Sequence, residues 1–143
     1  MYKKILVPLD NSVTDKTILE HIRPLAKMTG AEIVLVHVAD GFAARLQNEL
    51  NLVDSQEKTE DQAYLDTVRK ELVADGFKAK AILAQGKDPG ESLLTVADQE
   101  GVDLIAMATH GHTFVKDVIL GSVADYLRHN TSIPILMIRA SEK

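Results

Sequence analysis

Apolar residues along this chain gather into five short stretches, and between the stretches they recur at helical spacing. The first stretch, Lys4 to Leu9, places Ile5, Leu6 and Val7 side by side. Apolarity that is continuous rather than alternating marks a strand covered on both faces, as in a parallel sheet. Glu32 to Val38, Phe77 to Ala84, Leu104 to Met107 and Ile135 to Ile138 supply four more strands. Between the first two strands, Ile18, Ile22, Leu25 and Ala26 share one helical face. Ser12 with Asp15 makes a capping-box-like start to that helix, and Gly30 a stop. Pro24 falls inside it and removes a backbone donor, which predicts a kink or local strain. Ala39 to Asn51 reads as a long connection with a helical turn. A second helix, Ser55 to Ala74, carries Tyr64, Leu65, Val68 and Leu72 at helical spacing and ends at Gly76. Asp88 caps a third, with Pro89 at its first position and Glu91 completing its first turn. Gly101 ends it. After the fourth strand come a small-residue turn, Ala108-Thr109-His110-Gly111, and a last helix expected to open at Gly121-Ser122. Ser122 would cap that helix, with Asp125 completing the box.

Strands alternating with helices predict an α/β fold: an open, doubly wound, five-stranded parallel sheet with helices on both faces, Rossmann-like. No linker, repeat or low-complexity tract divides residues 1–143, so one domain is expected. Such a sheet takes its ligand outside the carboxyl ends of the strands, at the point where strand order reverses. Those ends are Asp10, Val38-Ala39-Asp40, Gln85-Gly86 and Ala108 to Gly111.

Composition narrows the function. The net charge is −5 with both signs mixed along the chain, which argues against a nucleic-acid binder. No apolar run approaches the roughly 18 residues of a membrane span. The apolar start is too short for a secretory signal, so the cytoplasm is the expected compartment. With no cysteine, disulfides, thiolate metal sites and cysteine nucleophiles are excluded.

The candidate chemistry lies in the small-residue turns. Ala108 to Gly111 and Gly121-Ser122, near strand ends and a helix start, can turn several backbone N–H groups toward one anion, here the phosphates of a nucleotide. Glycine turns also occur for purely structural reasons, and Asp10 could equally end its strand or cap the first helix. His110 and His112 stand one residue apart, but a metal site needs further ligands, so phosphate-facing or solvent-facing donors fit them better. His37, in a strand, reads as a satisfied interior or edge histidine. Gly86-Lys87 is not a phosphate loop: no glycine stands five positions earlier, and Asp88 follows where Ser or Thr is required. A phospho-accepting response regulator would need an Asp after the third strand and a Lys in the last connection. Gln85 and Asn130 to Ile133 supply neither. A flavin carrier would want aromatics around the ring, and the chain has three Tyr, three Phe and no Trp. No residue set forms a general base with a positioned nucleophile, so no catalytic residue is assigned.

Val7-Pro8-Leu9-Asp10, Val36-His37-Val38, Gly86 before Pro89, and Ala108 to Gly111 followed by nine residues and Gly121-Ser122 resemble the universal stress protein family. So does the ending from Leu127-Arg128-His129 to Pro134 through Arg139. The nucleotide-binding branch of that family carries Gly, two residues, Gly, nine residues, Gly, then Ser or Thr. Gly111, Gly121 and Ser122 match, and Ala108 replaces the first glycine. If position 108 required positive φ, alanine would cost about 1–2 kcal/mol; if only close approach matters, one methyl is tolerable.

The resemblance implies an ATP site. Pro8 would line it, Asp10 would meet the ribose, and the Val38 backbone would read the adenine edge. Ala108, Thr109, His110, Gly111 and His112, with Gly121, Ser122 and Val123, would wrap the phosphates. Mg²⁺ or Mn²⁺ would come with the triphosphate, held mainly by phosphate oxygens and water rather than by protein ligands. In the strand order 3-2-1-4-5 the last strand, Ile133 to Arg139, is an apolar sheet edge. Relatives commonly dimerise there, so a homodimer is expected. The role implied is stress or energy-state sensing, with nucleotide occupancy setting conformation or partner choice. The alternatives are a nucleotide-free dimeric interaction module of the same fold and a slow ATP hydrolase.

Overall fold

The computed structural model describes residues 1–40, 54–110 and 115–140. Five strands, β1 (Lys4–Pro8), β2 (Glu32–Asp40), β3 (Ala79–Gly86), β4 (Leu104–His110) and β5 (Ile135–Ala140), form one sheet in the order β3-β2-β1-β4-β5. Every neighbouring pair is parallel. Four helices connect them: α1 (Thr14–Thr29), α2 (Asp54–Ala74), α3 (Pro89–Glu100) and α4 (Val115–Asn130).

Strand order and connection handedness fix the layers. The chain steps outward from β1 to β2 and β3, then crosses back to place β4 on the other side of β1. Right-handed crossovers in opposite directions put their helices on opposite faces. Accordingly, Ile18 and Ile22 of α1 and Leu65, Val68 and Leu72 of α2 pack with Ile5, Val7, Ile33 and Leu35 on one face. Leu93 and Val96 of α3 and Val123 and Leu127 of α4 pack with Leu6, Val34, Ile105 and Met107 on the other. Ile5, Leu6 and Val7 are all fully buried, which is why that run cannot alternate. The reversal of order falls between β1 and β4.

Several boundaries follow the local signals. The Asp88 carboxylate accepts hydrogen bonds from the Gly90 and Glu91 N–H groups at 3.0 and 3.3 Å, with Pro89 at the start of α3. Gly90 also lets α3 approach α4, since a Cβ there would meet the Tyr126 ring at 2.6 Å. Pro24 lies inside α1.

Two expectations are corrected. β4 does not turn at Ala108; it continues to His110, because β5 pairs with it as far as Ala140. The last helix does not open at Gly121-Ser122 but at Val115, so both residues lie within α4 and Ser122 is not its cap. The N–H groups left free by a helix belong to its first turn, hence to the region of Val115. Gly111, His112 and nearly all of the long connection after β2 lie outside the described residues.

Candidate functional site at the carboxyl ends of the strands

A cavity of about 340 Å³ opens where β1 and β4 part. That is the size range of small-ligand pockets. One wall is apolar: Leu9, Val36, Val38, Leu93, Met107, Ala108 and Val123, with Pro8 and Pro89 at the rim. The other end is polar, formed by Asp10, Thr14, Asp15 and His37. An apolar slot with a charged end suits a ligand with a flat, weakly polar part and a hydroxyl-bearing or charged part.

The polar end is built on the turn from β1 to α1. Asn11 takes φ 60°, the only positive φ outside glycine among the described residues. Asparagine tolerates this conformation better than most residues. Val13 precedes the helix and offers no side-chain cap. Its place is taken by Asp15, whose Oδ1 accepts from the Asp10 N–H at 3.1 Å and whose Oδ2 accepts from the Asn11 N–H at 2.8 Å. The capping-box expectation is thus half right: Asp15 does reach back, but to Asp10 and Asn11 rather than to Ser12. Ser12 instead donates to Asp10 Oδ1 from both its N–H, at 3.1 Å, and its hydroxyl, at 2.5 Å.

α2 lies behind this end and bonds to its lining through two side chains three residues apart. Tyr64 donates its hydroxyl to Asp15 Oδ2 at 2.6 Å. Asp61 Oδ2 lies 3.2 Å from Nε2 of His37, whose Nδ1 donates to the Leu9 carbonyl at 2.8 Å. His37 is therefore a satisfied histidine, as its strand position suggested. Asp15 is 4% exposed, and burial is the main cause that pushes its carboxyl up to about 6. The Tyr64 hydroxyl and the backbone donors oppose that rise, while the facing Asp10 carboxyl adds to it. Burial and the neighbouring Asp15 hold the Tyr64 phenol protonated.

Of the residues anticipated for the site, Pro8, Asp10, Val38, Ala108 and Val123 all line this cavity. Ala108 lies in extended β4 and outside the positive-φ residues, so a glycine is not required there for backbone reasons. Thr109 and His110 end β4 beside it. Gly121 and Ser122 precede Val123 on α4. The sequence reading did not place Asp15, Tyr64, Asp61, Leu93 or Met107 in the site. Among the described residues no group of acidic or histidine side chains could hold a metal ion. A cation held through phosphate oxygens needs no such group.

A profile of the Universal stress protein family matches residues 1–139. Universal stress protein MJ0577 of Methanocaldococcus jannaschii is 31% identical, over 97% of this chain and 96% of that protein. Its solved structure superposes with a TM-score of 0.85 at 33% identity, covering 100% of this chain and 99% of the other. A universal stress family structure from Burkholderia pseudomallei gives 0.75 at 31% identity, covering 97% of each chain. The Archaeoglobus fulgidus universal stress protein, solved in complex with dAMP, shares the fold at 21% identity and a TM-score of 0.66, over 96% of this chain and 98% of that one.

Proposed function

The chain belongs to the universal stress protein family, and on that premise we propose that it is an ATP-binding stress-response or energy-sensing protein. One observation carries the reading: the family's motif residues Pro8, Asp10, Val38, Ala108 and Val123 converge on a single cavity at the strand-order reversal. In this reading adenine enters the apolar slot, with Pro8 on one side and the Val38 backbone on its polar edge. The Asp10 carboxylate takes the ribose hydroxyls. The phosphates leave the cavity past Ala108 and Thr109 toward the segment between β4 and α4. His110, Gly111, His112, Gly121 and Ser122 are assigned to them by the family resemblance. Mg²⁺ or Mn²⁺ would be held by the phosphates and water. No side chain is cast as a catalytic base, so occupancy, not turnover, is the output.

The dAMP complex bears on what the fold can hold rather than on these residues. Ala108 supports the reading through its size and extended backbone. The dimer belongs to the same proposal: β5 is a sheet edge, and Met137 is 42% exposed on it. Among the described residues no helix is long and apolar enough to cross a membrane, which is compatible with the cytoplasm as the site of action.

Titration calorimetry with ATP and Mg²⁺ tests the binding claim. Saturable heat from one nucleotide per chain is expected. No heat and no thermal stabilisation at about millimolar ATP would overturn it in favour of a nucleotide-free interaction module. Gly121→Val is expected to abolish binding while leaving the fold intact. A monomeric mass at roughly tens of micromolar protein would overturn the dimer.

A further inference from the structure

The Asp15 carboxylate is an odd ornament for a helix start. It is 4% exposed, its pKa is displaced, and one of its partners, Tyr64, lies on a different helix. A local cap needs none of this. What the arrangement does is fix the turn that carries Asp10. Three donors meet the two Asp15 oxygens: Asp10 N–H, Asn11 N–H and the Tyr64 hydroxyl. An ionised carboxylate is acceptor-only and takes all three at once. The turn so held includes Asn11 at positive φ, a conformation that these bonds help to hold.

We infer that Asp15 and Tyr64 are positioning residues, which hold the turn so that the Asp10 carboxylate faces the ribose hydroxyls of the bound nucleotide, and that the proton on Asp15 switches this off. The inference rests on the nucleotide reading above and adds its regulation. The chemistry of the switch is simple. Protonated Asp15 acquires a donor in place of an acceptor, and the Asp10 carboxyl lies within its hydrogen-bonding reach. Two facing carboxyls then share the proton, and Asp10 is engaged sideways instead of toward the ligand. Among the described residues, Asp10 and Tyr64 are the titratable groups that face Asp15, and Glu71 acts on Tyr64 from its own helix. The His37–Asp61 pair borders the same cavity. α2 thereby becomes part of the site although it contributes no wall to it.

The test compares ATP with 2′,3′-dideoxy-ATP, at constant Mg²⁺, on the wild type, Tyr64→Phe and Asp15→Asn. The ratio of the two dissociation constants reads the Asp10–ribose contact and cancels the phosphates. For the wild type it should be about tenfold or more near pH 7.5, the usual range for hydrogen bonds to a charged group, and should fall several-fold toward pH 5. Tyr64→Phe keeps the ring in the core and should lower the ratio several-fold near pH 7.5. Asp15→Asn presents a permanent donor to Asp10 and should give a low, pH-independent ratio. A purely structural defect would weaken both nucleotides alike and leave the ratio unaltered. Variants that keep the wild-type ratio at both pH values overturn this inference alone; a wild type that binds both nucleotides equally overturns the Asp10–ribose contact and this inference with it, and leaves nucleotide binding itself standing. A wild type that binds neither overturns the nucleotide reading and this inference with it.

Discussion

At the amino end of the sheet a groove of about 550 Å³ lies between the last turns of α1 and α2; at the carboxyl end the cavity of about 340 Å³ lies between β1 and β4. The larger hollow is the less eventful. Its charged groups face solvent or each other: Arg23 bonds Asp75 at 2.5 Å and lies 5.8 Å from the centre of the Phe77 ring. Lys27 and Lys78 are exposed. Two helices end beside it, one capped by Gly30 and the other followed by Gly76, and the negative end of a helix dipole does not favour an anion. The smaller hollow has a buried carboxylate with a displaced pKa, a positive-φ asparagine, and partners drawn from a turn and a second helix. Volume alone does not separate a site from a crevice. Buried charge held against its own preference does.

Three perturbations sharpen that contrast. The largest effect concerns pH. Asp15 ionises near 3.8 when unfolded and at about 6 when folded, so its folded form prefers the proton. Its contribution to stability is full below about 3.8 and is lost as pH rises through about 6, a difference of about 3 kcal/mol. Denaturant unfolding of the wild type and Asp15→Asn from about pH 4 to pH 7.5 should therefore show the wild type losing about that much relative to the variant. A difference that stays flat with pH would mean that Asp15 is not buried as an acid.

Next comes occupancy. Val38→Phe puts a ring into the apolar slot and should weaken ATP by about 2 kcal/mol, roughly thirtyfold. Lys78→Glu reverses a charge in the larger groove and should leave ATP affinity within about twofold. Equal losses would erase the distinction between the two hollows. The smallest effect is expected of Arg23→Gln, which breaks a partly exposed ion pair and a ring contact. Thermal unfolding should register about 1 kcal/mol or less.

How legible each region is in the sequence follows from the range of the interactions that build it. The β1 run Ile5-Leu6-Val7 announces a strand buried on both faces, and the Asp88-Pro89 start of α3 uses contacts within one turn. The switch point follows from element order, which is how Asp10 and Val38 become visible before any coordinates. Asp15 reads as a cap because its backbone partners are local, whereas Tyr64 is 49 residues away and has the spacing of an ordinary core aromatic. Nothing in the sequence joins them. β4 is misread at its end because small residues suggest a turn, and parallel pairing with β5 overrides that preference. α4 is misread at its start because Val115 carries no cap signal, while Gly121 looks like a boundary. Glycine inside a helix costs about 1 kcal/mol, which packing readily offsets.

The central claim is that nucleotide sits at the carboxyl end of the sheet, across the gap between β1 and β4. A crystal structure of the protein grown with ATP and Mg²⁺ tests it most directly. The account predicts adenine against Pro8 and Val38, the ribose hydroxyls on the Asp10 carboxylate, and Asp15 still bonded to Tyr64 behind it. Nucleotide bound in the groove of Arg23, Lys27 and Lys78, or an empty cavity beside Asp10 at saturating ATP, would contradict it.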